Sequence, residues 1–182
     1  MTTRRTVLLA GASVLPLAWS RTARADCRST LLTQDAQAAA CPILSLYGQD
    51  AQARRLAAAL TLEQLRSLPQ TGIRTSLPAN FQMRESVHWQ GPTLAEVLRS
   101  QDLRCDSGVY AESLSGYGAL VPATDLSRFD PILAWLRNGK PMSVRGNGPL
   151  LVIYPFDDHP ALREDIHYLQ RTVWQVRSLT AL

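Results

Sequence analysis

Asn138-Gly139-Lys140-Pro141-Met142-Ser143-Val144-Arg145-Gly146-Asn147-Gly148-Pro149-Leu150-Leu151-Val152-Ile153-Tyr154-Pro155 is the stretch on which the fold turns. Its second half, Leu150 to Tyr154, is a continuous apolar run and reads as a buried strand. Its first half closes an element begun at Asp130-Pro131. Pro131 suits the first position of a short helix, and Asn138-Gly139 suits its end. Between them, Val144-Arg145-Gly146-Asn147-Gly148 sets an arginine beside two glycines, where backbone amides can approach a ligand closely. The plainer reading of that segment is a polar loop joining two strands, with Arg145 paired to an acid.

Working outward, Ile43 to Gly48 reads as a strand ending at a glycine turn. Arg55 to Leu60 fits a strand or a helix: its alanines favour helix, and its place between turns allows either. Leu62, Leu65 and Leu68 recur every three residues and stop at Pro69, which predicts a short helix. Gly72 to Ser76 reads as a strand. Thr93 and Glu96 form a capping-box pattern for a helix burying Leu94, Val97 and Leu98, with Leu103 beyond it. Val109–Leu114 and Gly118–Val121 flank Ser115-Gly116-Tyr117 as a hairpin, and Thr172 to Val176 reads as the last strand. The expected class is α+β, with several short strands and few helices.

The amino end predicts export. Arg4 and Arg5 precede an apolar stretch from Val7 to Trp19, and Ala23-Arg24-Ala25 is a small-x-small cleavage site. Thr3-Arg4-Arg5-Thr6-Val7-Leu8-Leu9 looks like a twin-arginine signal, and an ordinary secretory signal carrying two arginines is the alternative. Asp26 before Cys27 argues against lipidation. The expected organisation is a signal peptide over residues 1–25, a mobile lead-in over 26–41 and one domain over 42–182, placed in the periplasm. No other segment is apolar for long enough to span a bilayer, so no membrane insertion of the mature chain is expected.

The net charge of +4 belongs to the signal. Without Arg4, Arg5, Arg21 and Arg24, fifteen basic side chains face fifteen acidic ones, and Lys140 is the only lysine. Nucleic-acid binding has no support in that balance. Three cysteines permit one disulfide, Cys27–Cys41 or Cys41–Cys105, and leave one thiol over. Asp157-Asp158-His159 before Pro160 reads as a solvated loop rather than as metal ligands, and His88 and His167 stand alone. No serine lies in a Gly-x-Ser-x-Gly context. Trp89, Tyr117, Tyr154 and Trp174 are either core residues or the walls of a pocket.

Four segments together resemble the molybdopterin-binding domain of the sulfite oxidase family. They are Trp89-Gln90-Gly91-Pro92-Thr93-Leu94 with Val97-Leu98; Ser115-Gly116-Tyr117 with Val121-Pro122 and Asp125-Leu126; Leu133-Ala134 with Asn138-Gly139-Lys140-Pro141-Met142; and Gly148 to Pro155 closed by Trp174. The resemblance spans residues 43–179. It implies a sulfite oxidase-type fold with a mixed, partly barrel-like sheet and short helices. It also implies a molybdopterin cofactor, bound through residues drawn from Arg145, Asn147, Ser76, Tyr117 and Trp89. In one respect this chain departs from the family: the ligand cysteine expected before Trp89 is absent from Ile73-Arg74-Thr75-Ser76-Leu77-Pro78. A serine hydroxyl is a poor replacement for a soft thiolate. Three functions follow as expectations: a ligand-binding or accessory module that takes a small ligand or a free pterin; a periplasmic molybdopterin-dependent oxidoreductase; or an exported interaction partner of a membrane sensor.

Overall fold

The computed structural model describes residues 41–49, 53–77 and 85–182. The expected signal peptide, the lead-in before Cys41, Cys27 and Pro78 lie outside these residues. Cys41 is disulfide-bonded and Cys105 is a free thiol, so the Cys41–Cys105 pairing is excluded.

The architecture is mixed α+β. A five-stranded sheet has the order β2-β1-β11-β5-β6, built from β1 (Pro42–Gln49), β2 (Arg54–Thr61), β5 (Gly108–Ser113), β6 (Gly118–Pro122) and β11 (Val176–Ala181). β1 runs parallel to β11, with Leu46 opposite Leu179; the other pairs are antiparallel. Period-two alternation sends Leu44 and Leu46 into the core and leaves Ser45 and Tyr47 on the other face. β2 is a strand despite its alanines. Pairing along nearly its whole length with β1 outweighs a helix preference of a few tenths of a kcal/mol per residue, taken as about 0.3.

A second sheet has the order β3-β4-β8-β9, from β3 (Thr71–Thr75), β4 (Val87–Gly91), β8 (Leu136–Arg137) and β9 (Lys140–Pro141). A third pairs β7 (Ile132–Ala134) with β10 (Leu151–Ile153), all six residues buried. The described strands form three sheets with no closed barrel, and the mixed α+β class with short helices holds.

The helix expected from Pro131 to Asn138 is instead strand β7, residue Trp135 and strand β8. Asp130 adopts φ 45°, unlike the extended backbone of a helix cap. Ile132-Leu133-Ala134 follows as a buried run, with Leu133 opposite Val152. Asn138 and Gly139, at φ 50° and 72°, are the two turn residues of a β8–β9 hairpin. Asn-Gly with both φ values positive is the preferred two-residue hairpin turn, and that local chemistry prevailed over helix closure. Gly91 brings β4 against β7: a Cβ there would lie 2.0 Å from the Leu133 carbonyl oxygen.

The last strand also differs. Thr172–Trp174 runs beside β10, where the Val152 amide donates to the Val173 carbonyl at 2.9 Å and Leu151 bridges Trp174. Gln175, at φ 55°, then redirects the chain into β11. One left-handed residue therefore moves the chain from the third sheet to the first.

Among the described residues, five short helices accompany the sheets: α1 (Leu62–Ser67), α2 (Leu94–Arg99), α3 (Ala123–Arg128), α4 (Ala161–Glu164) and α5 (Ile166–Gln170). α2 buries Leu94, Val97 and Leu98 as its pattern demands. Its capping box is half formed. Thr93 Oγ1 accepts from the Glu96 amide at 3.1 Å, and the Glu96 carboxylate pairs with Arg99 instead of reaching back. The reciprocal box caps α1, between Thr61 and Gln64. No helix of the described residues is long and apolar enough to cross a membrane.

Candidate functional site

Ser76 follows β3, at the place where the resemblance calls for a cysteine. Its surroundings are built by the chain after β10. Phe156 is buried, and the amides of Asp158 and His159 both donate to the Pro155 carbonyl, so the chain turns at 155–159. That turn delivers Asp157 to the end of β3. Asp157 accepts from the Ser76 amide at 2.8 Å, from the Ser76 hydroxyl at 3.0 Å and from the Ser86 hydroxyl at 3.3 Å. The Asp157 amide donates to Thr75 Oγ1 at 3.0 Å.

Arg163, on α4, completes the cluster. Its Nη2 donates to the Ser76 hydroxyl at 2.7 Å, to the Ser76 carbonyl at 3.0 Å and to the Asp157 carboxylate, and its Nε donates to the Phe156 carbonyl at 3.3 Å. The side chains of Asp157 and Arg163 are only 34% and 29% exposed. Asp157 lies in the exposed segment 157–160, in keeping with its reading as a solvated loop, and its carboxylate is in addition tied to Ser76 and Arg163. Burial works to raise its carboxyl, but the hydrogen bonds from Ser76 and Arg163 and the charge of Arg163 outweigh that and hold it below the usual carboxylate range.

This cluster does not fit a molybdenum ion held at position 76. The ligand atom would be a hydroxyl in place of a thiolate. Both hydrogen-bonding roles of that hydroxyl are already engaged, one by a carboxylate and one by a guanidinium. The arrangement also lacks an activated nucleophile, because Asp157 is a weakened base and Arg163 draws on the hydroxyl lone pair. Among the described residues no three His, Cys, Asp or Glu side chains converge as a metal site. Cys105 is raised above the usual thiol range by burial and by Asp106, which opposes thiolate chemistry.

A concavity lies elsewhere. A cleft of about 480 Å³ opens between the β5–β6 hairpin and α5. The hairpin contributes Ser113, Ser115 and Tyr117, and α5 contributes Ile166, Leu169 and Gln170. Thr172, Trp174 and Gln175 form the remaining wall. The turn of the hairpin is fixed internally: Ser113 Oγ lies 2.8 Å from Ser115 Oγ and accepts from the Ser115 amide at 3.2 Å. The Tyr117 hydroxyl crosses to donate to the Gln170 carbonyl at 2.6 Å. Beyond that strap is a second hollow of about 280 Å³, which reaches Leu120, His167 and Arg171.

The residues predicted from the sequence fall into three groups. Tyr117 lines the cleft and is 47% exposed. Trp89 is fully buried; its ring meets Trp174 edge-on at 6.1 Å and its indole N–H reaches the Thr75 carbonyl at 3.4 Å. It therefore stands between the cleft and the Ser76 cluster and touches solvent at neither. Arg145 and Asn147 are exposed on a short 3-10 turn, Val144–Gly146, capped by Ser143. They do not line the cleft. Their turn is fastened to its wall, because Gln175 donates through Nε2 to the Val144 carbonyl at 2.8 Å and through its amide to the Asn147 carbonyl at 3.3 Å.

Tyr154 belongs to the core. Its phenol donates to Asp125 at 2.8 Å, and Arg171 pairs with the same carboxylate at 2.9 Å. Burial, followed by the Asp125 charge, pushes the Tyr154 hydroxyl far up. Sequence reasoning missed Arg163, Gln175 and the α5 wall. Only Asp157, an acid just after a buried strand, carried any local signal.

No protein-family model matches the chain, and no curated protein does either. Among solved structures, the sulfane dehydrogenase SoxCD from Paracoccus pantotrophus is similar in fold, with a TM-score of 0.53 at 17% sequence identity. The match covers 79% of this chain and 38% of that one, so the chain spans well under half the length of that neighbour. The chain thus shares, distantly, the fold of part of a sulfane dehydrogenase.

Proposed function

We propose that this chain is an exported ligand-binding or accessory module, built on a fold distantly like that of molybdopterin enzymes and holding no molybdenum at position 76. The observation that carries this reading is the double engagement of the Ser76 hydroxyl by Asp157 and Arg163. The four-segment resemblance and the likeness to SoxCD support the ancestry of the fold, and the signal-like residues 1–25 support export to the periplasm.

A second reading is an oxidoreductase that binds molybdopterin without a cysteine ligand. One specific observation favours it, namely that the structural neighbour is a dehydrogenase by name. Molybdenum and pterin content, measured on the mature protein purified after export from a host that makes the cofactor, separates the two. The expected result is less than about a tenth of an equivalent of either, with the protein folded. Near-stoichiometric molybdenum, lost on Ser76→Ala, would replace the binding-module reading with the enzyme.

A further inference from the structure

We infer that the Tyr117–Trp174 cleft is a binding site for an uncharged, planar heteroaromatic ring that carries no phosphate. This inference rests on the ligand-binding reading above and names the chemistry of the ligand.

The volume of about 480 Å³ lies within the range typical of small-molecule sites. Its walls hold no ionisable side chain other than the Tyr117 phenol. A phosphate or carboxylate entering it would lose its hydration with no cation to replace it, which is costly. The nearest cation along the strap, Arg171, is already paired with buried Asp125 and stacked on Tyr168 at 4.9 Å. Arg145 is exposed, does not line the cleft, and sits on a turn whose Val144 and Asn147 carbonyls accept from Gln175 of the cleft wall.

What the walls do offer suits a flat neutral ring. Trp174 is half-buried and braced edge-on by Trp89, so an aromatic surface is held in place before any ligand arrives. Leu169 and Ile166 supply apolar contact, and among the wall hydroxyls Ser113 and Thr172 are buried and already bonded, to Ser115 and to the Tyr168 carbonyl, which leaves the exposed Ser115 hydroxyl as the polar group nearest solvent. Gln175 sits in this wall at φ 55°, a conformation unusual for glutamine. Such strain persists only where surrounding structure enforces it, and here two carbonyls of the 143–147 turn do so.

The test uses the mature protein and two matched probes, riboflavin and its 5′-phosphate, with lumichrome as a smaller neutral ring. Binding is read from quenching of probe fluorescence and from the indole N–H resonance of Trp174, assigned with Trp174→Phe. Riboflavin or lumichrome should bind and shift that resonance, and the phosphate should bind at least about tenfold more weakly. Trp174→Phe should weaken the neutral probes, and Gln170→Lys, on an exposed helix position, should narrow the gap to the phosphate. If the phosphate binds as well as riboflavin, or if neither neutral ring shifts Trp174, the inference is overturned. Metal and pterin content measured on the same preparation keeps the two failures apart. A molybdenum-loaded protein breaks the functional reading, whereas a metal-free protein that prefers the phosphate breaks only this inference.

Discussion

The Ser76–Asp157–Arg163 cluster and the Tyr117–Trp174 cleft are two answers to the same problem of closing a gap between elements. The cluster closes its gap with charge. A carboxylate and a guanidinium meet over a serine, and each bonds the Ser76 hydroxyl. The cleft leaves its gap open and walls it with aromatic, aliphatic and hydroxyl groups, with a single phenol strap across one end. The family resemblance placed Ser76 among the cofactor-binding residues while marking the ligand cysteine as absent there, and the cluster as such was not signalled in the sequence. The structure makes it the place of cohesion and leaves the ligand-sized space to the uncharged cleft.

Trp89 joins the two regions, so its removal should have the largest effect. Trp89→Ala deletes a fully buried indole that supports Trp174 and bonds the Thr75 carbonyl. A loss of about 3–5 kcal/mol in denaturant-unfolding free energy is expected. A loss below about 1 kcal/mol would show that the cleft and the cluster stand independently.

The cluster itself comes next. Asp157→Ala strips an acceptor from Ser76 and a partner from Arg163 and should cost about 2 kcal/mol, moderated because water can reach a third of the side chain. Arg163→Ala added to it should cost at least about 0.5 kcal/mol less than the sum of the single changes. Strict additivity in that cycle would deny that the three residues act as a unit. Acid should do the same work without mutation. The Asp157 pKa is lower folded than unfolded, so its contribution is complete above the ordinary carboxylate value near about 4 and is lost as pH falls through the folded value. Wild type should therefore lose more stability than Asp157→Asn as pH is lowered below about 4. Parallel curves would place the acid sensitivity elsewhere.

The smallest effect is expected at Arg145. Arg145→Ala should change stability by less than about 0.5 kcal/mol and leave the affinity of a neutral ring unchanged, since the side chain is exposed and makes no hydrogen bond or ion pair with a described residue. A marked drop in affinity on titration would draw the 143–147 turn into the site and count against an uncharged ligand.

Much of the secondary structure was legible where one local signal dominated. Leu44 and Leu46 alternate into the core, Thr93 caps its helix, and Ser115-Gly116-Tyr117 turns its hairpin. Legibility failed where two local signals competed. Asp130-Pro131 and Asn138-Gly139 frame a helix as plausibly as a strand and a hairpin, and the partner that decided between them, Leu151 to Ile153, lies well along the chain. Of the cleft residues, Tyr117 and Trp174 were among the four aromatics read as either core or pocket wall, and the structure puts these two in the cleft. Gln175 was invisible, because nothing in a glutamine announces a left-handed backbone.

By itself, the sequence determined the α+β class, the apolar cores of most elements, the export-like amino end, the near-neutral charge of residues 26–182 and the absence of a cysteine from Ile73 to Pro78. These are properties of composition and of near neighbours along the chain. Only the tertiary structure decided that Cys105 is the free thiol, that Asp157 and Arg163 engage Ser76, and that the hollow lies at Tyr117 and Trp174. Ser76 and Arg163 are 87 residues apart and Tyr117 and Gln170 are 53 apart. Contacts at that range form only once the sheets have fixed where each loop ends, and no local pattern encodes them.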